Sequence, residues 1–266
     1  MDGIIDQAWA RYSAQDHAIW HTLFERQARL LPGLACDAFV RGLQQLPLQA
    51  DRIPDFEQLS EVLLPQTGWR VVAVPGLVPD AVFFEHLAHR RFPAGRFIRP
   101  AAQLDYLQEP DVFHDVFGHV PMLMQPVMAD FMQLYGQAGL HALKIGKLAE
   151  LARVYWYTVE FGLVREQGDT RIYGAGIASS FAESVYAVRS PVPNRLGFDL
   201  ERVMRTRYRI DSVQASYFVL NSLDQLLDLA QIEFAPYYAR LDQGPTFAPG
   251  EVLASDQVLH RGTPGS

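Results

Sequence analysis

DVFHDVFGHVP, residues 111–121, sets His114 and His119 five positions apart among bulky apolar neighbours. About forty residues on, YWYTVEFGL at 155–163 carries a single carboxylate, Glu160, in an otherwise uncharged aromatic run. Two imidazoles and one carboxylate form the donor set that leaves open positions on ferrous iron. A carboxylate in such a run cannot stay buried and ionised without a partner, and a metal cation supplies one.

The spacing is not that of the HExxH zinc proteases, whose histidines stand four apart with a glutamate after the first. Here Asp115 takes that adjacent place. On an ideal helix a five-residue step turns about 140°. Both rings therefore reach one ion only where the helix starts, bulges or bends, and Gly118 and Pro121 make that feasible. Trp156, one helical turn before Glu160, is expected to border the same cavity.

The other histidines are weaker candidates. His17 and His21 have a ligand spacing on an amphipathic helix but no comparable buried carboxylate. His86 and His89, beside Arg90 and Arg91, read as a solvated edge. His141 and His260 stand alone.

The chain of 266 residues is 49% hydrophobic and 12% aromatic, enough for one large core. Its net charge of −7 and pI near 5.6 argue against nucleic acid or an anionic membrane as main partner. A lone cysteine, Cys36, excludes an internal disulfide and a thiolate metal cage, and reads as a small buried apolar residue. No signal segment is visible at the N-terminus, and no apolar stretch approaches the roughly 18 residues of a membrane span, so a cytoplasmic protein is expected.

The expected fold is mainly α with a few short β-strands in a single catalytic domain over residues 1–241. Residues 1–66 form its helical N-terminal part, broken near Leu31-Pro32-Gly33. WRVVAVP at 69–75 reads as a strand, 79–90 as a helix, and 96–99 as a second strand. Asp111 is placed to cap the metal-bearing helix and Pro121 to end or bend it. Two long helical patterns follow over 127–147 and 148–164, then a turn and strand within 168–176. Further helices are expected over 177–188, 199–208 and 222–241. Residues 242–266, rich in Gly and Pro, read as a loosely ordered tail.

EPDVFHDVFGHVP, YWYTVEFGLV and YGAGIASSFAES together resemble the signature segments of the pterin-dependent aromatic amino acid hydroxylases, in that family's order and spacing. The likeness covers roughly 71–241, and three long motifs make it highly specific. It implies the fold of that family's catalytic domain, with Fe(II) held by His114, His119 and Glu160. It implies dioxygen and a tetrahydropterin, tetrahydrobiopterin or a bacterial analogue, as co-substrates.

By the same resemblance Phe83 matches the ring that stacks on the pterin, and Gly76, Leu77 and Val78 the loop whose backbone meets the pterin edge. Arg99 matches the guanidinium that grips the substrate carboxylate. Trp156 and Ser179 match the amino acid pocket, and Tyr155 a tyrosine near the metal-bound water. Asp115 stands where animal members carry Glu, and Leu107 where they carry a hydroxyl residue near the substrate. Ile210 aligns where members acting on tyrosine place an acidic residue. An apolar group there, with Trp156, suits an unsubstituted phenyl ring. The resulting expectation is hydroxylation of L-phenylalanine to L-tyrosine by a compact monomer. The alternatives are a hydroxylase of tryptophan or tyrosine on the same fold and, more remotely, a metal-dependent hydrolase.

Overall fold

Ser13 opens the first long helix with a capping box. Its hydroxyl accepts the Asp16 N–H while the Asp16 carboxylate accepts the Ser13 N–H. The computed structural model describes residues 2–105 and 109–263. Leu107 lies outside the described residues.

Helices α1 (Ala14–Leu30), α2 (Asp37–Gln45) and α3 (Phe56–Thr67) make up the N-terminal part. The break between α1 and α2 falls where Pro32 and Gly33 end the first periodicity. Strand β1 (Arg70–Val74), helix α4 (Asp80–Ala88) and β2 (Arg91–Gly95) form a parallel crossover unit, with Val72 opposite Pro93. The second strand therefore precedes the expected 96–99. Pro93 is accommodated within it because a two-stranded sheet is all edge and tolerates a missing N–H.

The segment Phe113–His119, which carries both candidate histidines, is π-helical and passes into α5 (Val120–Leu123). Pro121 does not stop it, because it lies in the first turn of α5, where a missing N–H costs little. Helix α6 (Pro126–Ile145) is the longest element. It crosses α4 so closely that a Cβ on Gly139 would lie 2.1 Å from the Phe84 ring, and one on Gly136 2.4 Å from the Ala88 nitrogen.

Helix α7 (Leu148–Tyr155) ends in a second π-helical turn, Trp156–Glu160. The chain then becomes strand β3 (Leu163–Glu166) before the end of the helix expected to reach 164. After β4 (Asp169–Ile172) come α8 (Ala175–Ala178), α9 (Phe181–Arg189), β5 (Asn194–Gly197) and α10 (Leu200–Arg205). Strand β6 (Ser216–Leu220), α11 (Gln225–Ala230), α12 (Ala235–Leu241) and β7 (Val258–His260) complete the described fold. The larger sheet has the order β4-β3-β6-β5-β7, parallel at β3/β6 and β6/β5 and antiparallel at its two edges. One continuous core, from Trp20 and Phe39 to Phe218, joins the helices to this sheet.

The segment expected to be a loosely ordered tail is instead anchored. β7 pairs with β5, the Phe247 N–H donates to the Arg205 carbonyl at 2.8 Å, and Asp256 forms a buried ion pair with Arg202 at 2.8 Å. Without Asp256 that arginine would be a buried charge lacking a carboxylate, a costly state. Cys36 is buried, as expected. His86 is not on a solvated edge. It is fully buried, and its Nε2 bonds to the Asp2 carbonyl at 2.6 Å, which ties the N-terminal segment to α4.

Candidate iron and substrate site

A five-residue step that would splay two side chains on an α-helix aligns them on a π-helix, whose i→i+5 hydrogen bonds stack residues five apart. Both halves of the candidate site use this device. It brings the His114 ring close to that of His119, and the second π turn ends at Glu160. His114 Nε2 and His119 Nε2 are 3.2 Å apart. The Glu160 carboxylate is 3.2 Å from His119 Nε2 and 3.6 Å from His114 Nε2.

The proton positions follow from the neighbours. Ser179 Oγ donates to the Ala175 carbonyl at 2.8 Å, so toward His114 Nδ1, at 2.9 Å, it acts as acceptor. His114 therefore carries its proton on Nδ1 and aims the Nε2 lone pair at His119 and Glu160. Burial pushes the His114 pKa down to about 4, which keeps the ring neutral. Burial alone would raise the Glu160 carboxyl, but the facing imidazoles outweigh it and hold the group below its usual range.

These groups fit a divalent cation. Ligand atoms at right angles around an ion with bonds of about 2.1 Å stand about 3 Å apart, close to the spacings here. Asp115 offers a second carboxylate nearby, with an oxygen within 4.8 Å of a ring nitrogen of each histidine. Its Oδ2 accepts the Gly95 N–H at 2.7 Å, and burial raises its pKa to about 7. Glu160, ionised and facing both Nε2 atoms, is the better third ligand.

Two cavities meet at this cluster, and His114 and Glu160 line both. The first, of about 260 Å³, is bounded by Gly76, Leu77, Val78, Phe83, Asp115, His119 and Tyr155. Phe83 meets Tyr155 edge-on at 5.8 Å, and Leu77 is 74% exposed at the rim. The Tyr155 phenol is held well above its ordinary pKa by burial, so it stays protonated. The second cavity, of about 450 Å³, holds Arg99, Trp156, Ser179 and Ile210. The residues singled out in sequence thus fall into two groups, one in each cavity, with the metal cluster between them.

Arg99 is engaged more than its motif suggests. Its Nε and Nη2 donate to both oxygens of the fully buried Asp111, each at 2.8 Å, and its backbone N–H donates to the same carboxylate at 2.9 Å. Asp111 also caps the π segment by accepting the His114 N–H at 3.1 Å. Among the described residues, the Nη1 side of Arg99 has a single long contact, 3.5 Å, to the Leu104 carbonyl, and it lies at the larger cavity.

Sequence reasoning missed Gln27, Glu183 and Gln214, all buried in the wall of the larger cavity. Glu183 was visible as the one acid of YGAGIASSFAES, and the two glutamines carry no local signal. Glu183 accepts the Gln214 N–H at 3.1 Å and the Tyr217 hydroxyl. Burial raises its pKa above the usual 4.5. An acid raised on folding favours the fold while protonated and opposes it once ionised. That contribution is lost as pH rises from about 4.5 through the raised folded value. Glu183→Gln keeps an acceptor without the charge, so its melting temperature should exceed wild type at pH 7, with the gain shrinking toward pH 4. An unchanged difference across that range would contradict the assignment. His17 and His21 have structural partners, the Ile53 N–H at 3.1 Å and the Ala50 carbonyl at 3.2 Å.

A family model described as biopterin-dependent aromatic amino acid hydroxylase matches residues 7–243. A phenylalanine-4-hydroxylase of Ralstonia nicotianae is 58% identical over 262 residues, which are 98% of this chain and 84% of that protein. The crystal structure of Chromobacterium violaceum phenylalanine hydroxylase with bound oxidised Fe(III) superposes with a TM-score of 0.94 at 55% identity, covering 97% of this chain and 94% of that one. The cobalt-bound form of the same protein gives 0.95, with 97% and 93% covered.

Proposed function

Because this chain belongs to the biopterin-dependent aromatic amino acid hydroxylases, we propose that it hydroxylates L-phenylalanine to L-tyrosine with dioxygen and a tetrahydropterin. The observation that carries the reading is the pair of cavities meeting at His114, His119 and Glu160. One cavity serves each organic substrate, and both open on the same donor set. When bound there, ferrous iron and the pterin supply the redox chemistry of dioxygen activation.

The chain's own residues bind, orient and exclude. His114, His119 and Glu160 are the metal ligands. Ser179 fixes the tautomer of His114, and the neutral His114 and ionised Glu160 are ready without proton release. Phe83 offers its face to the pterin ring, and the backbone of Gly76, Leu77 and Val78 offers hydrogen-bonding groups to the pterin edge. Asp115, whose carboxyl is raised by burial and faces the same cavity, is placed to exchange a proton there. Tyr155 presents a protonated hydroxyl beside the metal ligands. In the larger cavity the Nη1 side of Arg99 takes the amino acid carboxylate, and Trp156 and Ile210 enclose the ring.

Phenylalanine is favoured over tyrosine by the rim of that cavity. Ile210 offers no partner to a phenol, and the neighbouring Asp211 carboxylate is engaged by Arg209 at 3.0 Å. Of the large exposed apolar side chains, Leu77, Phe181, Ile210 and Val213 lie at the cavities, and the proposed state is a monomer. The proposed compartment is the cytoplasm. Among the described residues no helix is long and apolar enough to cross a membrane.

The decisive experiment is aerobic turnover with ferrous iron and tetrahydrobiopterin, offering phenylalanine, tyrosine and tryptophan separately. Tyrosine formed from phenylalanine, and lost without iron, is the expected result. Product only from tryptophan, or none from any of the three with iron bound, would overturn the reading. In Phe83→Ala, loss of the stacking face should raise the KM for pterin about tenfold and leave that for phenylalanine nearly unchanged. The reverse pattern would exchange the two cavities.

A further inference from the structure

Gln214 ends the loop 209–213 and is 3% exposed. Its carboxamide is satisfied on both sides. Oε1 accepts the Trp156 indole N–H at 2.9 Å, while Nε2 donates to the carbonyls of Arg209 at 3.1 Å and Ser212 at 3.3 Å. Its backbone N–H donates to Glu183 at 3.1 Å. Trp156, Glu183, Gln214 and residues 210–213 all line the larger cavity, so one amide joins three parts of its wall.

The loop has little else to hold it. Ile210 is 66% and Val213 43% exposed, and the Arg209–Asp211 pair lies on the surface. The flanks are fixed, by Tyr157 Oη donating to the Arg207 carbonyl at 2.8 Å and by the Asn194 N–H donating to the Ala215 carbonyl at 3.0 Å. Among the described residues, Gln214 is the hydrogen-bonding link between the intervening loop and the rest of the wall. The indole is stacked on Tyr208 at 4.3 Å and 13°, and packs against Phe161 at 4.6 Å. Stacking sets the plane of a ring but leaves it free to slide within that plane. The directional bond from Nε1 to Gln214 supplies the missing constraint.

We propose that Gln214 is a positioning residue for amino acid selection, tying the Trp156 indole to the 209–213 loop so that Trp156 and Ile210 hold a fixed separation. The proposal rests on the larger cavity being the phenylalanine site. It acts on the substrate's ring without touching the metal ligands or the pterin cavity. Its consequence is a split between the two Michaelis constants, which a general loosening of the fold would not produce.

The test compares wild type, the near-isosteric Gln214→Met, Trp156→Phe and the double variant, all iron-loaded and with tetrahydrobiopterin. Gln214→Met should raise the KM for phenylalanine about tenfold, the effect of about 1.4 kcal/mol from lost hydrogen bonds, with the KM for pterin nearly unchanged. In the Trp156→Phe background the same substitution should have an effect at least about threefold smaller, because the anchored partner is gone. Gln214→Met should also shift tryptophan emission in the substrate-free protein, and the shift should vanish with Trp156→Phe. If Gln214→Met does not fold, Gln214→Glu keeps an acceptor for the indole but repels the two loop carbonyls, and should give the same split at smaller size. Equal rises in both constants, an unchanged phenylalanine constant, or an effect undiminished in Trp156→Phe would overturn the proposal while wild-type turnover leaves the function standing. A wild type that binds iron yet does not hydroxylate phenylalanine overturns the function itself, and this role with it.

Discussion

Glu160→Ala is expected to abolish coupled tyrosine formation and to lower iron affinity at least about hundredfold, more than the loss of a group that merely orients a ligand. The carboxylate faces both Nε2 atoms, 3.2 Å from His119 and 3.6 Å from His114. Without it a cation would meet two neutral nitrogens in a partly closed cavity. It would lose water and gain no anionic compensation. The ligand's backbone setting is equally specific, since a Cβ on Gly174 would approach the Glu160 carbonyl to 2.5 Å. Iron retained after dialysis, measured by metal analysis, and tyrosine from phenylalanine, measured by chromatography, should fall together. Full iron with full turnover would remove Glu160 from the ligand set and leave Asp115 as the alternative carboxylate, whereas iron lost with turnover kept would remove iron from the reaction. Glu160→Asp serves as control. It keeps the charge on a shorter arm, so it should retain part of the iron while losing most of the turnover, because position as well as charge is required.

The three proposed ligands could be singled out in the sequence because each announces itself within a short segment. An acid in YWYTVEFGL needs a partner, and two histidines in an apolar run offer one. The five-residue step looked awkward only against α-helical geometry, and the π turn resolves it. The sheet was far less legible. SYFVL at 216–220 is a continuous apolar run of the kind that central strands have, yet NRLG at 194–197, its parallel partner, shows neither alternation nor β-branching. Its register is set by β6 and β7 on either side, information that is not local to the segment. The end of the chain misled for the same reason. Gly and Pro describe its loops, while the edge of β5 and the charge of Arg202 decide where it docks. Gln27 and Gln214 read as ordinary polar residues, and their part in the cavity wall arises from contacts 151 and 58 residues away, with Ala178 and Trp156. Local chemistry was readable, and long-range satisfaction of polar groups was not.

Arg99→Ala tests a residue whose structural and recognition roles coincide. The variant should lose about 3–5 kcal/mol of stability, the usual cost of removing one partner from a buried pair, and its KM for phenylalanine should rise steeply. The stability loss follows from Asp111, which is fully buried and receives two side-chain donors from Arg99 beside the backbone N–H groups of residues 99 and 114. Truncation leaves that charge with the backbone donors alone. For a domain of this size the melting temperature should drop by about 10 °C. The recognition loss follows from the Nη1 side of the guanidinium, which among the described residues has one long contact and lies at the larger cavity. The two effects separate in the double variant Arg99→Ala/Asp111→Asn. Removing the stranded charge should return much of the melting temperature and none of the affinity for phenylalanine. Arg99→Lys keeps a positive charge but cannot bridge both Asp111 oxygens and a ligand carboxylate at once, so it should recover stability only in part. Recovery of phenylalanine affinity together with stability in the double variant would mean that Arg99 acts only by holding Asp111, and through it the cap of the π segment that carries His114.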